Sequence, residues 1–418
     1  MIGLVDGNNF FVSCERVFDP SLEGKPVAVL SNNDGCVISR SYELKALDVP
    51  MGMPWFQLRK LVDRHGIVVR SSNYELYGDL SRRVIAVLRE FSDRVEQYSI
   101  DEAFVHAAIS DPEECLRFGR EVRKAVLEWV GIPCGVGFAP TKTLAKIANH
   151  IGKKAPGGVY ALPADPSPVL ERIPVGEVWG VGRRLAPQLE AIGLRTARDL
   201  AEADEGELAR RFSVVVARTA SELRGVPAVD GAAVEPAQRS ITCSRSFGRP
   251  VTEFEELRQS VALYLAEAAE KLRSERLKAT SATVYCQFYP EYEPTRREGG
   301  ADSVLVPFER PTSSTPELVK RTAPFLEAIF RRGRRYKKTG VILSCLDGDD
   351  GEQADLFADT RKEERADRLS AAMDRINGRF GKGTLFSPAQ GIEKPWRMKR
   401  SFLSPAWTTN WDEIPEVR

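Results

Sequence analysis

The opening stretch Met1-Ile2-Gly3-Leu4-Val5-Asp6-Gly7-Asn8-Asn9-Phe10-Phe11 decides the fold, because an apolar strand ends on a carboxylate and runs directly into two aromatic rings. A second strand-like run ends in Tyr98-Ser99-Ile100-Asp101-Glu102, which supplies two more carboxylates. Three carboxylates at the tips of neighbouring strands can hold two divalent cations, an arrangement that stabilises in-line attack on phosphate. The aromatic pair is suited to form a wall for the sugar of a bound nucleotide.

The acidic pair alone is weak support for such a site, since the chain contains seven adjacent pairs of acidic residues. Neighbouring residues on a regular strand also point to opposite faces of the sheet. Asp101 and Glu102 therefore converge on one site only if the chain turns between the strands at Val95–Ile100 and Ala103–Ala107. Their place at a hairpin tip beside the first strand strengthens the interpretation.

The bulk composition predicts a globular protein of two to four domains. The chain has 418 residues, 42% of them hydrophobic and 28% charged, and single cores rarely exceed about 250 residues. No run approaches the roughly 18 apolar residues of a membrane span, and the N-terminus lacks the pattern of a signal peptide. Seven scattered cysteines without a C-x-x-C pair argue against disulfides and structural zinc. These features predict a cytoplasmic protein with reduced thiols.

The charge is unevenly distributed. Residues 1–240 carry 30 basic and 32 acidic side chains, whereas residues 241–345 carry 18 and 13. The excess culminates in a basic segment at residues 331–338 whose cations are Arg331, Arg332, Arg334, Arg335, Lys337 and Lys338. Such a segment can neutralise several phosphates of a nucleic acid, although a solvated charged turn would have the same composition.

Residues 1–170 alternate between strands and helices. Short apolar runs bounded by turn residues predict strands at Ile2–Asp6, Pro26–Ser31, Val95–Ile100, Ala103–Ala107, Cys134–Phe138 and Gly158–Leu162. Apolar residues at helical spacing, from Cys115 to Trp129, predict a helix over Glu113–Trp129, and a second helix is expected over Thr143–Lys153. This order fits a ferredoxin-like split βαβ sheet with an α/β insertion at about 11–71.

Residues 168–235 are predicted to be helical around the sequence Gly180-Val181-Gly182-Arg183-Arg184. A short helix, a glycine hairpin and helices at Leu189–Leu194 and Thr196–Ala203 are typical of a helix-hairpin-helix module. Its glycines let backbone amides approach phosphate, and the following helix, with both arginines in its first turn, presents its N-terminus to the anion. A plain helical hairpin is the alternative.

Residues 240–345 return to α+β character. Strands are predicted at Ser240–Ser246, Thr280–Phe288, Ser303–Val306 and Gly340–Ser344, with helices at Phe254–Ser274 and Thr315–Arg332. An acidic linker from Asp347 to Glu352 follows, and then one helix over Arg361–Phe380 and a Pro/Trp-rich ending.

Taken in order, these motifs resemble the Y-family translesion DNA polymerases, and specifically their UmuC branch, which supplies the catalytic subunit of DNA polymerase V. The resemblance runs through essentially the whole chain. It is carried by the segments at residues 6–11, 31–38, 71–77, 98–104, 141–150 and 243–248. It implies an α+β multidomain fold: a ferredoxin-like palm (1–10 and 72–167), small fingers (11–71), a helix-hairpin-helix thumb (168–235), an α+β little finger (240–345) and a tail (346–418).

The resemblance also implies roles for individual residues. Asp6, Asp101 and Glu102 would be catalytic and, with the Gly7 carbonyl, would hold two Mg²⁺ ions. Phe11 matches the steric gate that excludes a ribose 2′-hydroxyl, beside Phe10, for which the role of a core ring also remains. Tyr42, Lys45 and Lys153 would contact the nucleotide, with Lys154 left open as the alternative to Lys153, and with Lys45 standing where the family often has arginine.

DNA contacts are expected at Gly180, Gly182, Arg183, Arg184 and along the basic segment. Within Gln353-Ala354-Asp355-Leu356-Phe357, the residues Gln353, Leu356 and Phe357 look like the peptide by which bacterial polymerases dock on the sliding clamp, although a short apolar turn is the alternative. The implied partners are primer–template DNA, a deoxynucleoside triphosphate, the clamp, a processed UmuD subunit and RecA, and no membrane.

The function that this resemblance implies is error-prone DNA synthesis across damaged template, in DNA-damage tolerance and SOS mutagenesis. A non-catalytic scaffold that binds DNA and clamp is the alternative, but all three acids are present. A nucleotidyl cyclase shares the palm, yet it needs neither a helix-hairpin-helix nor a clamp peptide.

Overall fold

The computed structural model describes residues 1–229, 239–290, 299–348 and 360–415. The chain separates into two compact units, of which unit 1 comprises Met1–Ser31, Cys36–Ala233 and Phe402–Arg418, and unit 2 comprises Asn32–Gly35 and Val234–Ser401. The C-terminal region, predicted as a single tail, is thus divided between the two units. The predicted boundaries of palm, fingers, thumb and little finger remain predictions.

The described residues of unit 1 form eight strands and eleven α-helices. The strands are β1 Ile2–Gly7, β2 Val27–Leu30, β3 Val37–Arg40, β4 Val68–Ser71, β5 Val95–Gln97, β6 Glu102–His106, β7 Cys134–Ala139 and β8 Val159–Ala161. The helices are α1 Phe10–Phe18, α2 Tyr42–Lys45, α3 Trp55–His65, α4 Tyr74–Arg89, α5 Pro112–Val130, α6 Lys142–Gly152, α7 Ser167–Leu170, α8 Ala186–Ala191, α9 Ala197–Glu202, α10 Glu205–Arg211 and α11 Val214–Leu223.

The main sheet of unit 1 has the strand order β5-β6-β1-β7-β8. β1 is antiparallel to both of its neighbours, β6 and β7, while β7 and β8 are parallel. This is the ferredoxin-like arrangement that the sequence predicts, with β8 added at one edge. A smaller sheet, β3-β2-β4, forms the α/β insertion between β1 and β5.

Both faces of the main sheet are covered, because alternate β1 side chains enter different cores. Val5 packs with α1, α4 and α5 in one core, whereas Leu4 packs with α6 and the helices after residue 167 in another. Helix α5 is capped by Asp111, whose side chain accepts a hydrogen bond from the Glu114 amide, and it ends at Gly131. Trp129, the last of the apolar residues at helical spacing, is 62% exposed.

Unit 2 contains the elements β9 Ser240–Val251, α12 Phe254–Ser274, β10 Leu277–Phe288, β11 Ala301–Thr312, α13 Thr315–Ile329, β12 Tyr336–Gly348 and α14 Thr360–Phe380. The strands in the described part of unit 2 have the order β11-β10-β12-β9, with every neighbouring pair antiparallel. The helices α12 and α13 pack on this sheet around a buried core that also includes Trp396.

Three local predictions are wrong. The strand at Val95 ends at Gln97, because Tyr98 and Ser99 turn back to donate amide hydrogen bonds to the Glu102 carbonyl. The helix predicted over Leu189–Leu194 is α8, which ends at Ala191 before Gly193 adopts a φ of +92°. Asp347 and Gly348 lie in β12, paired with β10, rather than in the predicted linker.

No helix in the described part of the chain is long and apolar enough to cross a membrane. The six cysteines whose side chains the structure describes are all unpaired thiols, as predicted.

Candidate active site

Asp6 and Glu102 are direct cross-strand partners in the antiparallel pair β1–β6. Side chains opposite each other in such a pair lie on the same face of the sheet. The Gly7 amide extends the ladder by donating to the Asp101 carbonyl at 2.8 Å. Glu102 is therefore held next to Asp6 by the register of the two strands.

Asp101 lies in the loop between β5 and β6, so the alternation of a strand does not direct its side chain away from Glu102. Ser99 organises this loop, because its hydroxyl donates to Asp101 Oδ1 at 2.6 Å and accepts hydrogen bonds from the Asp101 and Glu102 amides at 3.3 and 3.1 Å. The turn that convergence of the two acids requires is present.

Helix α6 brings two lysines to these carboxylates. Lys153, which caps the C-terminal end of α6, places Nζ 2.6 Å from Asp6 Oδ2, and Lys146 Nζ lies 2.9 Å from both oxygens of Glu102. Lys154 instead contacts His150 Nε2 at 3.2 Å. Of the two lysines that the sequence left open, Lys153 is the one at the carboxylates.

Asn149 holds α6 against the sheet. Its side-chain amide donates to the Leu4 carbonyl of β1 at 3.1 Å and to the Gly135 carbonyl of β7 at 3.0 Å. The close approach requires glycine at position 137, since a Cβ atom there would lie 2.0 Å from the Asn149 backbone nitrogen. The distance from the lysines to the carboxylates is thus set by buried hydrogen bonds.

The electrostatics of Asp6 favour a cation beside it. The pKa of the Asp6 carboxyl is raised to about 6, chiefly by burial; the Lys153 ammonium opposes this rise, and the nearby charges of Glu102 and Asp101 add to it. A carboxylate that is desolvated and close to two other acids is stabilised in its ionised form by a neighbouring positive charge. Lys153 supplies part of that charge.

Among the described residues, no three His, Cys, Asp or Glu side chains converge closely enough to hold a metal ion. The donor set nevertheless fits one, because Asp6, Asp101 and Glu102 offer hard carboxylate oxygens of the kind that Mg²⁺ prefers. In this structure the ammonium groups of Lys153 and Lys146 neutralise two of the three.

The two aromatic residues after β1 differ in how far they are buried. Phe10 is 4% exposed and belongs to the core. Phe11 is half-buried and stacks on Tyr77, with ring centroids 4.6 Å apart and planes 14° apart. Of the two predicted nucleotide contacts on α1, Phe11 has the more open ring, and contact of either ring with a nucleotide remains a prediction.

A cluster of cations surrounds the predicted triphosphate position. Lys45 donates to Asn9 Oδ1 at 2.5 Å and lies 4.8 Å from the ring centroid of Tyr42, which is 55% exposed. Burial, together with the charges of Arg40 and Lys153, lowers the pKa of Lys45. Because these three cations repel one another, an anion bound among them would be strongly favoured.

Beside the carboxylates lies a cleft of ≈ 300 Å³. Its lining includes Asp6, Glu102, Lys146, Lys153, His150 and Trp179. The Trp179 indole donates to the Tyr98 hydroxyl at 3.1 Å, and Lys146 Nζ lies 4.3 Å from the Tyr98 ring centroid.

Four residues at the site, Lys146, Asn149, Trp179 and Arg40, were not predicted from the sequence. Lys142, Lys146, Asn149 and Lys153 are spaced by four, three and four residues. That spacing places them on one face of a helix, a signal that was available in the sequence. Trp179 and Arg40 carry no comparable signal.

The predicted hairpin contacts lie in the segment before α8. Gly180 has a φ of +90°, and the Gly182 carbonyl accepts hydrogen bonds from the Leu185 and Ala186 amides at 2.9 and 3.0 Å. Arg183 and Arg184 are exposed in the turn that precedes α8, not in its first turn as predicted.

In unit 2 the basic segment divides between internal and exposed cations. Arg334 forms an ion pair with Asp302 and lies 4.0 Å from the Phe288 ring centroid. Arg331, Arg332 and Arg335 are exposed, while Lys337 and Lys338 are half-buried in β12. The predicted clamp peptide (Gln353, Leu356 and Phe357) lies outside the described residues.

Comparison with known proteins finds matches to family models and to relatives over the full length of the chain. Residues 5–150 match the impB/mucB/samB family, residues 238–356 match the impB/mucB/samB family C-terminal domain, and residues 367–417 match a model described as Domain of unknown function (DUF4113). The chain is 42% identical over 429 aligned positions to Protein UmuC of Salmonella typhimurium (strain LT2), covering 100% of both.

Two further matches are to proteins that are named as DNA polymerases. DNA polymerase IV 1 of Bacillus subtilis (strain 168) is 27% identical, with 90% of each chain covered. The solved structure of a Y-family DNA polymerase chimera, Dbh-Dpo4(243-245)-Dbh, superposes with a TM-score of 0.64 at 22% identity, covering 83% of this chain and 100% of that one. The chain therefore belongs to the impB/mucB/samB family, with Protein UmuC as a relative over its full length.

Proposed function

We propose that the chain adds deoxynucleotides to a primer 3′ end opposite damaged template, as a translesion DNA polymerase of the UmuC branch. The observation that carries this function is the pairing of Asp6 with Glu102 at the tip of β1 and β6, next to Asp101 and in contact with Lys153. The names of the polymerase relatives support the same activity.

Asp6, Asp101, Glu102 and the Gly7 carbonyl are the groups that would hold two Mg²⁺ ions. When bound, the ions lower the pKa of the primer 3′-hydroxyl and neutralise the charge that develops on the pyrophosphate leaving group. The chain supplies the anionic pocket that attracts them, since burial makes the Asp6 carboxylate costly without a cation nearby.

Lys153 has two candidate anions within reach. It pairs with Asp6 in this structure, and its charge also acts on Lys45 in the cation cluster. We infer that Lys153 can contact the triphosphate as well as Asp6. Lys45, Arg40 and Tyr42 complete the triphosphate site, and Phe11 bounds the sugar.

The remaining contacts follow from exposure and charge. The glycines and arginines before α8, together with Arg331, Arg332 and Arg335, are proposed to bind the DNA backbone without reading its sequence. The sliding clamp, a processed UmuD subunit and RecA are proposed partners, and a cytoplasmic location is expected for a protein that acts on DNA.

Primer extension tests the function. The full-length chain, assayed alone and then with clamp, UmuD subunit and RecA, should extend a primer across an abasic site in the presence of Mg²⁺. Asp101→Ala should abolish extension, whereas the matched control Glu113→Ala, which removes an exposed carboxylate on α5, should leave it intact. Undiminished incorporation by Asp101→Ala would refute the metal-site assignment.

A further inference from the structure

The end of the described chain returns to unit 1 and docks beside α1 and α4. The Phe402 amide donates to Ser71 Oγ at 2.9 Å, and the Ser71 amide donates back to the Phe402 carbonyl at 2.9 Å. Five residues later, Trp407 stacks on Phe18 of α1, with ring centroids 5.2 Å apart. The tail segment (Phe402–Trp407) is thus anchored at both ends, and it lies within the region matched by the domain of unknown function.

Ser404, in the middle of the tail segment, is 5% exposed and inserts a hydroxyl between two elements. The hydroxyl donates to Glu15 Oε1 of α1 at 3.1 Å and accepts a hydrogen bond from Asn73 Nδ2 at 3.0 Å. Asn73 Oδ1 in turn accepts from the Leu76 amide and so caps the N-terminus of α4. The tail segment is therefore hydrogen-bonded to both helices.

Glu15 connects Ser404 to the aromatic stack at the site. The same oxygen, Oε1, accepts a hydrogen bond from the Tyr77 hydroxyl at 2.7 Å. The Tyr77 ring stacks on Phe11, which precedes Glu15 by one turn of α1. Tyr77 thus contacts α1 at two points: its hydroxyl donates to Glu15, and its ring stacks on Phe11.

The buried carboxyl makes this connection energetically significant. Glu15 is 0% exposed, its Oε2 has no hydrogen-bond partner among the described residues, and Arg70 Nε lies 3.8 Å from this oxygen. Ser404 and Tyr77 therefore supply the hydrogen bonds that the carboxyl makes. Removing one donor leaves a buried acceptor under-satisfied, which costs more than an exposed hydrogen bond and drives local rearrangement.

We propose that the tail segment is a positioning element for sugar selection, in which Ser404 holds Glu15, Glu15 holds Tyr77, and the Tyr77 ring sets the position of Phe11. The inference rests on the proposed role of Phe11 as the ring that bounds the sugar. Docking of the tail segment would then affect how well the site discriminates ribonucleotides from deoxyribonucleotides. Ser404 and Glu15 are 389 residues apart in the sequence.

The test measures kcat/KM for matched deoxy- and ribonucleotides in single-nucleotide primer extension by the full-length chain, in the assay composition that supports synthesis. Ser404→Ala and Tyr77→Phe should each lower the ratio of deoxy- to ribonucleotide incorporation by about fivefold, the effect of losing one buried hydrogen bond. Thr409→Ala, which removes an exposed hydroxyl from the same tail, should leave the ratio unchanged.

A double variant tests whether Ser404 and Tyr77 affect sugar selection through the same residue. Because both substitutions act through Glu15, Ser404→Ala combined with Tyr77→Phe should lower the ratio by less than the product of the two single effects. Equal losses for both sugars, or an unchanged ratio in variants that retain the wild-type melting temperature, would overturn the proposal and leave Ser404 a merely structural residue.

Phe11→Ala, assayed in parallel, distinguishes the role of the ring from the role of the tail segment. If Phe11→Ala relaxes sugar selection while Ser404→Ala and Tyr77→Phe do not, the positioning role is refuted and the sugar-bounding role of Phe11 stands. If Phe11→Ala leaves selection unchanged, the role of Phe11 is refuted, and the tail proposal falls with it. If the wild-type chain incorporates no nucleotide in any composition, the proposed function itself is wrong.

Discussion

Lys153 Nζ lies 2.6 Å from Asp6 Oδ2, at the end of the strand on which the catalytic assignment depends. The Lys153 ammonium neutralises the Asp6 carboxylate here, and an ammonium group in this position could also pair with a phosphate. The ion pair with Asp6 is therefore one of two contacts that we expect for Lys153, and the other is with the triphosphate.

Lys153→Ala should raise KM for the incoming deoxynucleotide by about tenfold, because the variant has no ammonium group to donate a charge-assisted hydrogen bond to phosphate. The matched control is Lys154→Ala, since Lys154 contacts His150 rather than a carboxylate of the site. Steady-state kinetics on an undamaged template measure the effect. Equal changes in both variants would indicate a general electrostatic effect rather than a specific contact.

Phe11→Ala should admit ribonucleotides, lowering sugar discrimination by about tenfold or more, because removal of the ring opens space beside the sugar. Phe11→Tyr keeps the ring that stacks on Tyr77 and should retain most of the discrimination. Competing deoxy- and ribonucleotides in one primer-extension reaction give the ratio directly. Retained discrimination in the alanine variant would remove Phe11 from the sugar site.

Arg332→Ala should weaken binding of primer–template DNA, because an exposed cation of the basic segment no longer neutralises a phosphate. The slope of log binding constant against log salt concentration should become shallower by about 0.9 for each phosphate that the variant leaves unneutralised. Fluorescence anisotropy across a salt series measures both quantities. Lys60→Ala on α3, an exposed cation outside the basic segment, is the control, and an equal effect there would argue against a specific role for Arg332.

Glu15→Gln should change how stability depends on pH. Burial raises the pKa of the Glu15 carboxyl above its ordinary value of 4.5, so the folded state holds its proton more tightly than the unfolded state. The wild-type chain then loses stability as pH rises from about 4.5 through the raised pKa, whereas glutamine carries no charge at any pH. The melting temperature of the variant relative to wild type should therefore increase as the pH rises above about 4.5, and a constant difference would show that Glu15 takes up no proton on folding.

Local patterns in the chain were sufficient for most of the fold. The apolar run at Ile2–Gly7 and the helical spacing from Cys115 to Val126 predict elements that the structure contains, because strand and helix periodicity is a property of neighbouring residues. Element ends were predicted less well. The strand before Tyr98 ends early because backbone amides there bond to Glu102, a contact that periodicity does not express.

For the site, sequence by itself determined the chemistry: three acids, an aromatic pair and a lysine at position 153 or 154. Only the tertiary structure decided which of them meet. The strand register places Glu102 opposite Asp6, the packing of α6 selects Lys153 over Lys154, and burial assigns Phe10 to the core. The contact between Ser404 and Glu15 joins residues far apart in the chain, and such pairings depend on how the buried surfaces fit together rather than on any local pattern.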